Sequence, residues 1–287
     1  INTQKLQTAT KMCNADLTCV IDISGSMEGT KLDMVKKSLI ILIKMMDEND
    51  RLALVLFESY AHILCNLEYM TETKKKEFIS KVNLIDSGST TNILSGLKKA
   101  VEILKNIKNN KDDKRASSIL LLSDGCDNVA NSSFELLNGF KNLYKGEKLD
   151  FTLNTFGYGD DHDPEIMNQL ANIRDGSFFY VQDYKKVSEY FVSVLGSCVS
   201  IISKNVNVSV KLLNEHCQIA KILGEKYLYN YALEPHVFKT EIMQLLCDKE
   251  YTYVLEINLD EDKIKKDDEI LYVEVLYKDM NNDNKLV

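Results

Sequence analysis

The sequence predicts an α/β fold. A doubly wound, mostly parallel sheet of Rossmann-like type is followed by a smaller, antiparallel β-rich domain. Two observations predict the first part. Apolar runs of strand length alternate with segments of helical period over the first two-thirds of the chain, and the runs are continuous rather than alternating, as in strands covered on both faces. A third observation predicts the second part: beyond Ser203 the runs become short, alternating and rich in Tyr, which reads as antiparallel β structure, sandwich-like in form.

Taken in order, Leu17 to Ile23 is a strand that empties into the polar turn Ser24-Gly25-Ser26. Lys31 to Met46 places Leu32, Val35, Leu39, Leu42, Ile43 and Met46 at helical spacing. Arg51 to Phe57 is a second buried strand, and Ala61 to Cys65 pairs antiparallel with it at the sheet edge. Thr73 to Val82 is a short charged helix, and Ile93 to Ile107 is a strongly amphipathic one. The polar run Lys108 to Arg115 reads as a solvated turn. Ser118 to Ser123 is a strand closed by Asp124-Gly125, Ser133 to Tyr144 a helix, and Phe151 to Phe156 a strand running into Gly157-Tyr158-Gly159. Asp163 caps a helix whose first residue is Pro164. Gly176 to Val181 is a strand and Tyr184 to about Ile202 a long closing helix. The later strands are Asn207 to Leu212, Lys226 to Tyr231, Tyr251 to Ile257 and Glu269 to Leu276, with Asp260 to Asp268 as a charged turn. The divisions that follow are an amino-terminal segment 1–14, the α/β domain 15–203 and the β-rich domain 204–287. Ile1 is not an initiator Met, and residues 281–287 read as a turn leading into a further strand, so a longer parent chain is expected.

Composition narrows the function. The 287 residues are 45% hydrophobic and 27% charged, with a formal net charge of −8. Basic residues form no stripe, so a nucleic-acid or anionic-membrane surface is not expected. No run is long and apolar enough to span a bilayer, and the absence of Trp disfavours a carbohydrate platform. Cys13, Cys19, Cys65, Cys126, Cys198, Cys217 and Cys247 are odd in number and lack C-x-x-C spacing. They read as buried thiols of a reducing compartment, not as a disulfide framework or zinc site.

The chemistry concentrates at strand ends. Asp22, Ser24 and Ser26 follow the first strand at i, i+2 and i+4; Asp124 ends the strand 118–123; Thr91 precedes the helix that begins at Ile93, with Thr90 as a neighbouring alternative. All are hard oxygen donors of the kind that suits magnesium, calcium or manganese. Loops at the carboxyl ends of strands are also where open α/β sheets hold ligands. Each residue alone has an ordinary explanation as a turn or cap. Three loops of one sheet offering the same donor chemistry are a stronger signal.

On these residues the chain resembles the von Willebrand factor A domain with a metal-ion-dependent adhesion site. The pattern D-x-S-x-S is matched by Asp22, Ser24 and Ser26, the single Thr by Thr91, and the Asp of T/S-D-G by Asp124. The resemblance covers roughly residues 15–203. Gly29-Thr30-Lys31-Leu32, Asp50-Arg51-Leu52 and Phe156 to Asp163 are similar to the A domains of intracellular plant and protist proteins that carry a RING finger upstream and a β-rich segment downstream. The resemblance implies a non-catalytic protein-binding module in which these five residues hold a divalent cation, magnesium or else calcium or manganese. An open metal position would accept an Asp or Glu carboxylate of a protein partner. It also implies an intracellular, cytoplasmic address and, as an alternative, the substrate-recognition part of a larger ubiquitin-ligase-type protein.

The enzyme alternative is a magnesium-dependent phosphatase that also begins with an Asp at the end of the first strand. Such an enzyme needs a second acid two residues on, and Ser24 stands there. No nucleophile elbow G-x-S-x-G is present. Gly157 to Asp163 reads as a strand exit and cap, with three acids that repel phosphate, and His162 as a solvated loop residue. No catalytic activity is expected.

Overall fold

Every residue of β1 (Ala15–Asp22) is buried, the polar Asp16, Thr18 and Asp22 included, as in a strand covered on both faces. The computed structural model that shows this describes residues 13–108, 115–130, 132–223, 236–247, 250–260, 262–265 and 268–279. Near residue 200 the chain divides into two compact units.

In the first unit the elements run α1 (Thr30–Met45), β2 (Arg51–Phe57), β3 (Ala61–Tyr69), α2 (Glu72–Asn83), α3 (Ile93–Lys108), β4 (Ala116–Ser123), α4 (Ser133–Leu143), β5 (Thr152–Tyr158), α5 (Pro164–Ile173), β6 (Phe178–Val181) and α6 (Val187–Val199). The strands form one six-stranded sheet in the order β3-β2-β1-β4-β5-β6. All neighbours are parallel except β2 and β3, which pair antiparallel at the edge. The fold class read from the sequence is therefore the one observed. Chain order departs from β1 toward β2 on one side and resumes at β4 on the other. That makes the gap between the carboxyl ends of β1 and β4 the topological switch point, where such sheets accept ligands. The register keeps those ends level, with Ile21 opposite Leu122 and Asp22 opposite Phe57.

One face of the sheet is covered by α3, α4 and α5, through Val20, Phe57, Ile93, Leu97, Val101, Phe140, Phe151 and Met167. Helix α3 lies so close to the sheet that a Cβ at Gly96 would sit 2.7 Å from Val20 Cγ1 and 2.8 Å from Phe57 Cδ1. Only a glycine allows this approach, which fixes where α3 begins.

At the amino end of β1 the sheet is closed by a buried ion cluster. Asp16 accepts hydrogen bonds from Arg51 Nε (2.8 Å) and Nη2 (2.6 Å) and from Arg115 Nε (2.7 Å). Arg115 also donates to the carbonyls of Ala15 and Asn49. The expected solvated turn is corrected here: Arg115 is buried, because its charge is matched by Asp16 and its remaining donors by backbone. Lys111 and Lys114 lie outside the described residues. A second correction concerns the closing helix, which ends at Val199. Ile201 and Ile202 already belong to β7 (Ile201–Leu212). Their apolar side chains fit either period, and antiparallel pairing with β9 decides.

The second unit contains β7, β8 (Cys217–Leu223), β9 (Val237–Leu246), β10 (Val254–Leu259) and β11 (Leu271–Asp279). These form a three-stranded sheet β11-β7-β9 and a two-stranded sheet β10-β8, all antiparallel. Both sheets contribute to one apolar cluster that includes Val210, Leu212, Ile219, Phe238 and Leu255. Sequence reading missed β8 and β9, and the expected strand Lys226–Tyr231 lies outside the described residues.

Candidate metal site

The carboxyl end of β1 delivers Asp22 into the switch point, fully buried. Its Oδ1 accepts the Ser24 backbone N–H at 2.9 Å, which folds the turn back over the strand end. Its Oδ2 accepts the Ser123 hydroxyl at 2.5 Å, and Ser123 Oγ in turn accepts the Gly125 N–H at 2.9 Å. Asp22 is thus oriented by a residue from the adjacent strand. Burial pushes its carboxyl up to about 6; the Ser123 and Ser24 hydrogen bonds oppose that shift, and the negative charge of Asp124 adds to it.

Ser24 is buried and Ser26 exposed, and their hydroxyl oxygens lie 3.1 Å apart. Thr91 is buried, whereas Thr90 turns outward to the Ser59 hydroxyl. The Thr91 loop is tied to both neighbours. Gly25 N–H donates to the Ser89 carbonyl at 2.8 Å. Thr91 N–H donates to Asn128 Oδ1 at 3.1 Å, and Asn128 N–H returns a bond to the Thr91 carbonyl at 3.0 Å. Asp127 Oδ1 accepts the Ile93 N–H at the start of α3. Asp22, Ser24 and Ser26 are joined directly, and the loops bearing Thr91 and Asp124 are latched to them at one end of the sheet.

Asp124 is fully buried, and Lys31 Nζ, from the first turn of α1, donates to its Oδ2 at 3.0 Å. Lys31 also pairs with Asp161 Oδ1 at 2.8 Å. Burial lowers the Lys31 affinity for its proton, and the bonds to Asp161 and Asp124 outweigh that, leaving it raised. Sequence reading assigned no role to Lys31 or Ser123. The partners of these two lie 93 and 101 positions away, so local spacing carries no trace of either bond. His162 is also corrected: it is half-buried rather than solvated, its ring stacked on Tyr180 at 4.5 Å and its Nδ1 2.7 Å from the Gly159 carbonyl.

Whether these residues suit a divalent cation is decided by donor type, spacing and charge. The donors are hydroxyl and carboxylate oxygens, the hard ligands that suit magnesium, calcium or manganese. Adjacent oxygens of an octahedral magnesium site are about 3 Å apart for metal–oxygen distances of about 2.1 Å, and the two Ser hydroxyls stand at 3.1 Å. Asp124 pairs with the Lys31 ammonium and Asp22 is held by hydroxyl and backbone N–H donors, so the two buried carboxylates leave the cluster short of positive charge. The residues fit such an ion.

Comparison with known proteins places this arrangement in a family context. The family profile described as von Willebrand factor type A domain matches residues 16–192. An uncharacterized protein of Synechocystis sp. is 24% identical over 252 residues, which cover 86% of this chain and 57% of the relative. The human inter-alpha-trypsin inhibitor heavy chain H3 is 28% identical over 156 residues, 53% of this chain and 17% of that protein. The Arabidopsis thaliana E3 ubiquitin-protein ligase WAV3 is 33% identical over 111 residues, 38% of this chain and 15% of that protein. The chain therefore spans little more than half of the first of these relatives and much less of the others. Among solved structures, a von Willebrand factor type A protein from Catenulispora acidiphila superimposes with a TM-score of 0.75 at 16% identity, covering 93% of this chain and 63% of that one. That likeness concerns the fold.

Proposed function

We propose, from the premise that the chain belongs to the von Willebrand factor type A domain family, that residues 15–203 form a protein-binding module that engages an acidic residue of its partner through a divalent cation, with residues 204–287 as a separate β-rich domain. Asp22, Ser24, Ser26, Thr91 and Asp124 would hold the ion, magnesium before calcium or manganese. The observation that carries the reading is the pair of buried carboxylates at the ends of adjacent strands, beside two hydroxyls at octahedral spacing.

The ion, when bound, supplies a Lewis-acidic position that a carboxylate can fill. The protein's residues prepare that position. Ser123 fixes the rotamer of Asp22, and the backbone bonds among the three loops hold the Ser and Thr hydroxyls in place without spending further carboxylates. Few direct carboxylates leave the ion less neutralised, which favours an incoming Asp or Glu over a neutral group. Ser24 stands where a phosphatase would hold its general acid, which supports binding over hydrolysis.

Titration calorimetry tests the reading. The wild type is expected to bind one equivalent of magnesium, and Asp22→Ala and Ser24→Ala none; equal binding by the variants would sink the assignment. An aryl phosphate should not be turned over with magnesium present, and turnover would restore the enzyme alternative.

The match to the Arabidopsis ligase favours a second reading, in which this chain is the substrate-recognition part of a ubiquitin-ligase-type protein. None of the seven cysteines is joined in a disulfide, which supports an intracellular, cytoplasmic setting. No helix among the described residues is long and apolar enough to cross a membrane.

A further inference from the structure

We propose that Lys31 is a resident counter-cation of this site: it weakens the bare site's hold on a divalent ion and strengthens the loaded site's hold on an anionic partner. The proposal rests on the metal reading above and extends it to a residue that the ligand pattern does not contain.

The ammonium of Lys31 is placed, not stray. It lies between Asp124 Oδ2 at 3.0 Å and Asp161 Oδ1 at 2.8 Å, with only 13% of its side chain exposed. Its stem runs across Gly159, whose φ of +85° favours glycine and whose missing side chain makes the channel. A Cβ there would fall on Lys31 Cε, with Lys31 Cδ at 3.2 Å. The loop bearing Asp161 is itself pinned. Asp163 N–H donates to the Asp124 carbonyl at 2.8 Å, the His162 ring lies on Tyr180, and the Tyr180 hydroxyl donates to Asp160. Two loops and a glycine thus hold one cation against a carboxylate assigned to the metal.

Charge counting gives the consequence. Asp22, Asp124, Asp161 and Lys31 sum to two negative charges. A divalent ion brings that sum to zero; without Lys31 it would be one negative charge. The incoming ion meets repulsion from the ammonium and competes with it for Asp124 Oδ2. Once loaded, the site is neutral with Lys31 and negative without it, so Lys31 lowers the repulsion that an incoming carboxylate meets. Metal and carboxylate therefore each raise the affinity for the other, and by linkage they do so equally.

The test uses the full chain, with magnesium titrated in chloride and in acetate buffer, and melting curves to confirm folding. Lys31→Met is expected to bind magnesium at least about tenfold more tightly in chloride, the lower bound set by water-like screening of one charge close to the ion. The tightening that acetate gives the wild type should be smaller in this variant. Asp161→Asn should act in the opposite direction. It leaves Lys31 with Asp124 alone and weakens magnesium by roughly threefold. Asp161 is 71% exposed, so this variant keeps the test open if Lys31→Met does not fold. A merely structural Lys31 would not give opposite signs. Magnesium binding by the wild type, with no change in either folded variant, overturns this proposal alone; no binding by the wild type overturns it together with the metal reading.

Discussion

Ser123 shows how much of the site depends on a residue that binds nothing itself. Its hydroxyl donates to Asp22 Oδ2 and accepts the Gly125 N–H, so one oxygen fixes both a carboxylate rotamer and the turn that carries Asp124. Supporting bonds of this kind are worth about 10–100-fold in metal affinity. Ser123→Ala is expected to lose magnesium affinity on that scale while its circular dichroism stays that of the wild type, as calorimetry and spectroscopy would show. Thr18 is the reverse case. Its Oγ1 is buried in β1 and has no hydrogen-bond partner among the described residues. Thr18→Val keeps the branched shape and removes an unsatisfied hydroxyl, so urea unfolding should show a gain of roughly 1 kcal/mol; a loss would mean that the hydroxyl is satisfied by water. At this scale the sequence was legible where type and position coincide. Asp22 and Asp124 each end an apolar run, and Thr91 rather than Thr90 is the buried one of the pair. Lys31 and Ser123 looked like an ordinary helix residue and a strand tail, because their meaning lies in residues far along the chain.

At the scale of elements, helix and strand periods were read correctly for β2, α3 and β4, whereas β8 and β9 were missed. They failed where tertiary pairing overrides local pattern. Ile201 and Ile202 extend an apolar helix in sequence yet belong to β7, where Ile201 pairs with Leu246 of β9. Arg115 sits at the end of a Lys- and Asp-rich run, and only Asp16, 99 positions away, shows why it is buried. The Asp16 cluster lies at the opposite end of the same strand from the candidate metal site. Removing one member leaves buried charge uncompensated, a loss of about 3–5 kcal/mol. Asp16→Asn should therefore lower the urea midpoint sharply with little change in slope, while Arg51→Lys, which keeps the charge at the more exposed partner, should cost less.

For the whole molecule, the separation into two units makes a spatial prediction. All five candidate ligands lie in the unit that ends near residue 200, and β7 to β11 contribute none. Magnesium at about 100 times its dissociation constant should stabilise that unit by about 2.7 kcal/mol. Hydrogen exchange should slow in β1, β4 and β5 and stay unchanged in β7 to β11; equal slowing in both would show that the units unfold together. The pairing of β1 with β4 has a further consequence, felt before the protein is finished. Once β2 is made, β1 still has one bare edge, and its partner is not complete until Ser123, some 66 residues later. At about 5–20 residues per second, that edge waits for roughly 3–13 s during synthesis. Over that interval a strand that is fully buried in the finished fold is open to pairing with any other nascent chain, so the ribosome-bound half of this protein is a natural client for chaperones.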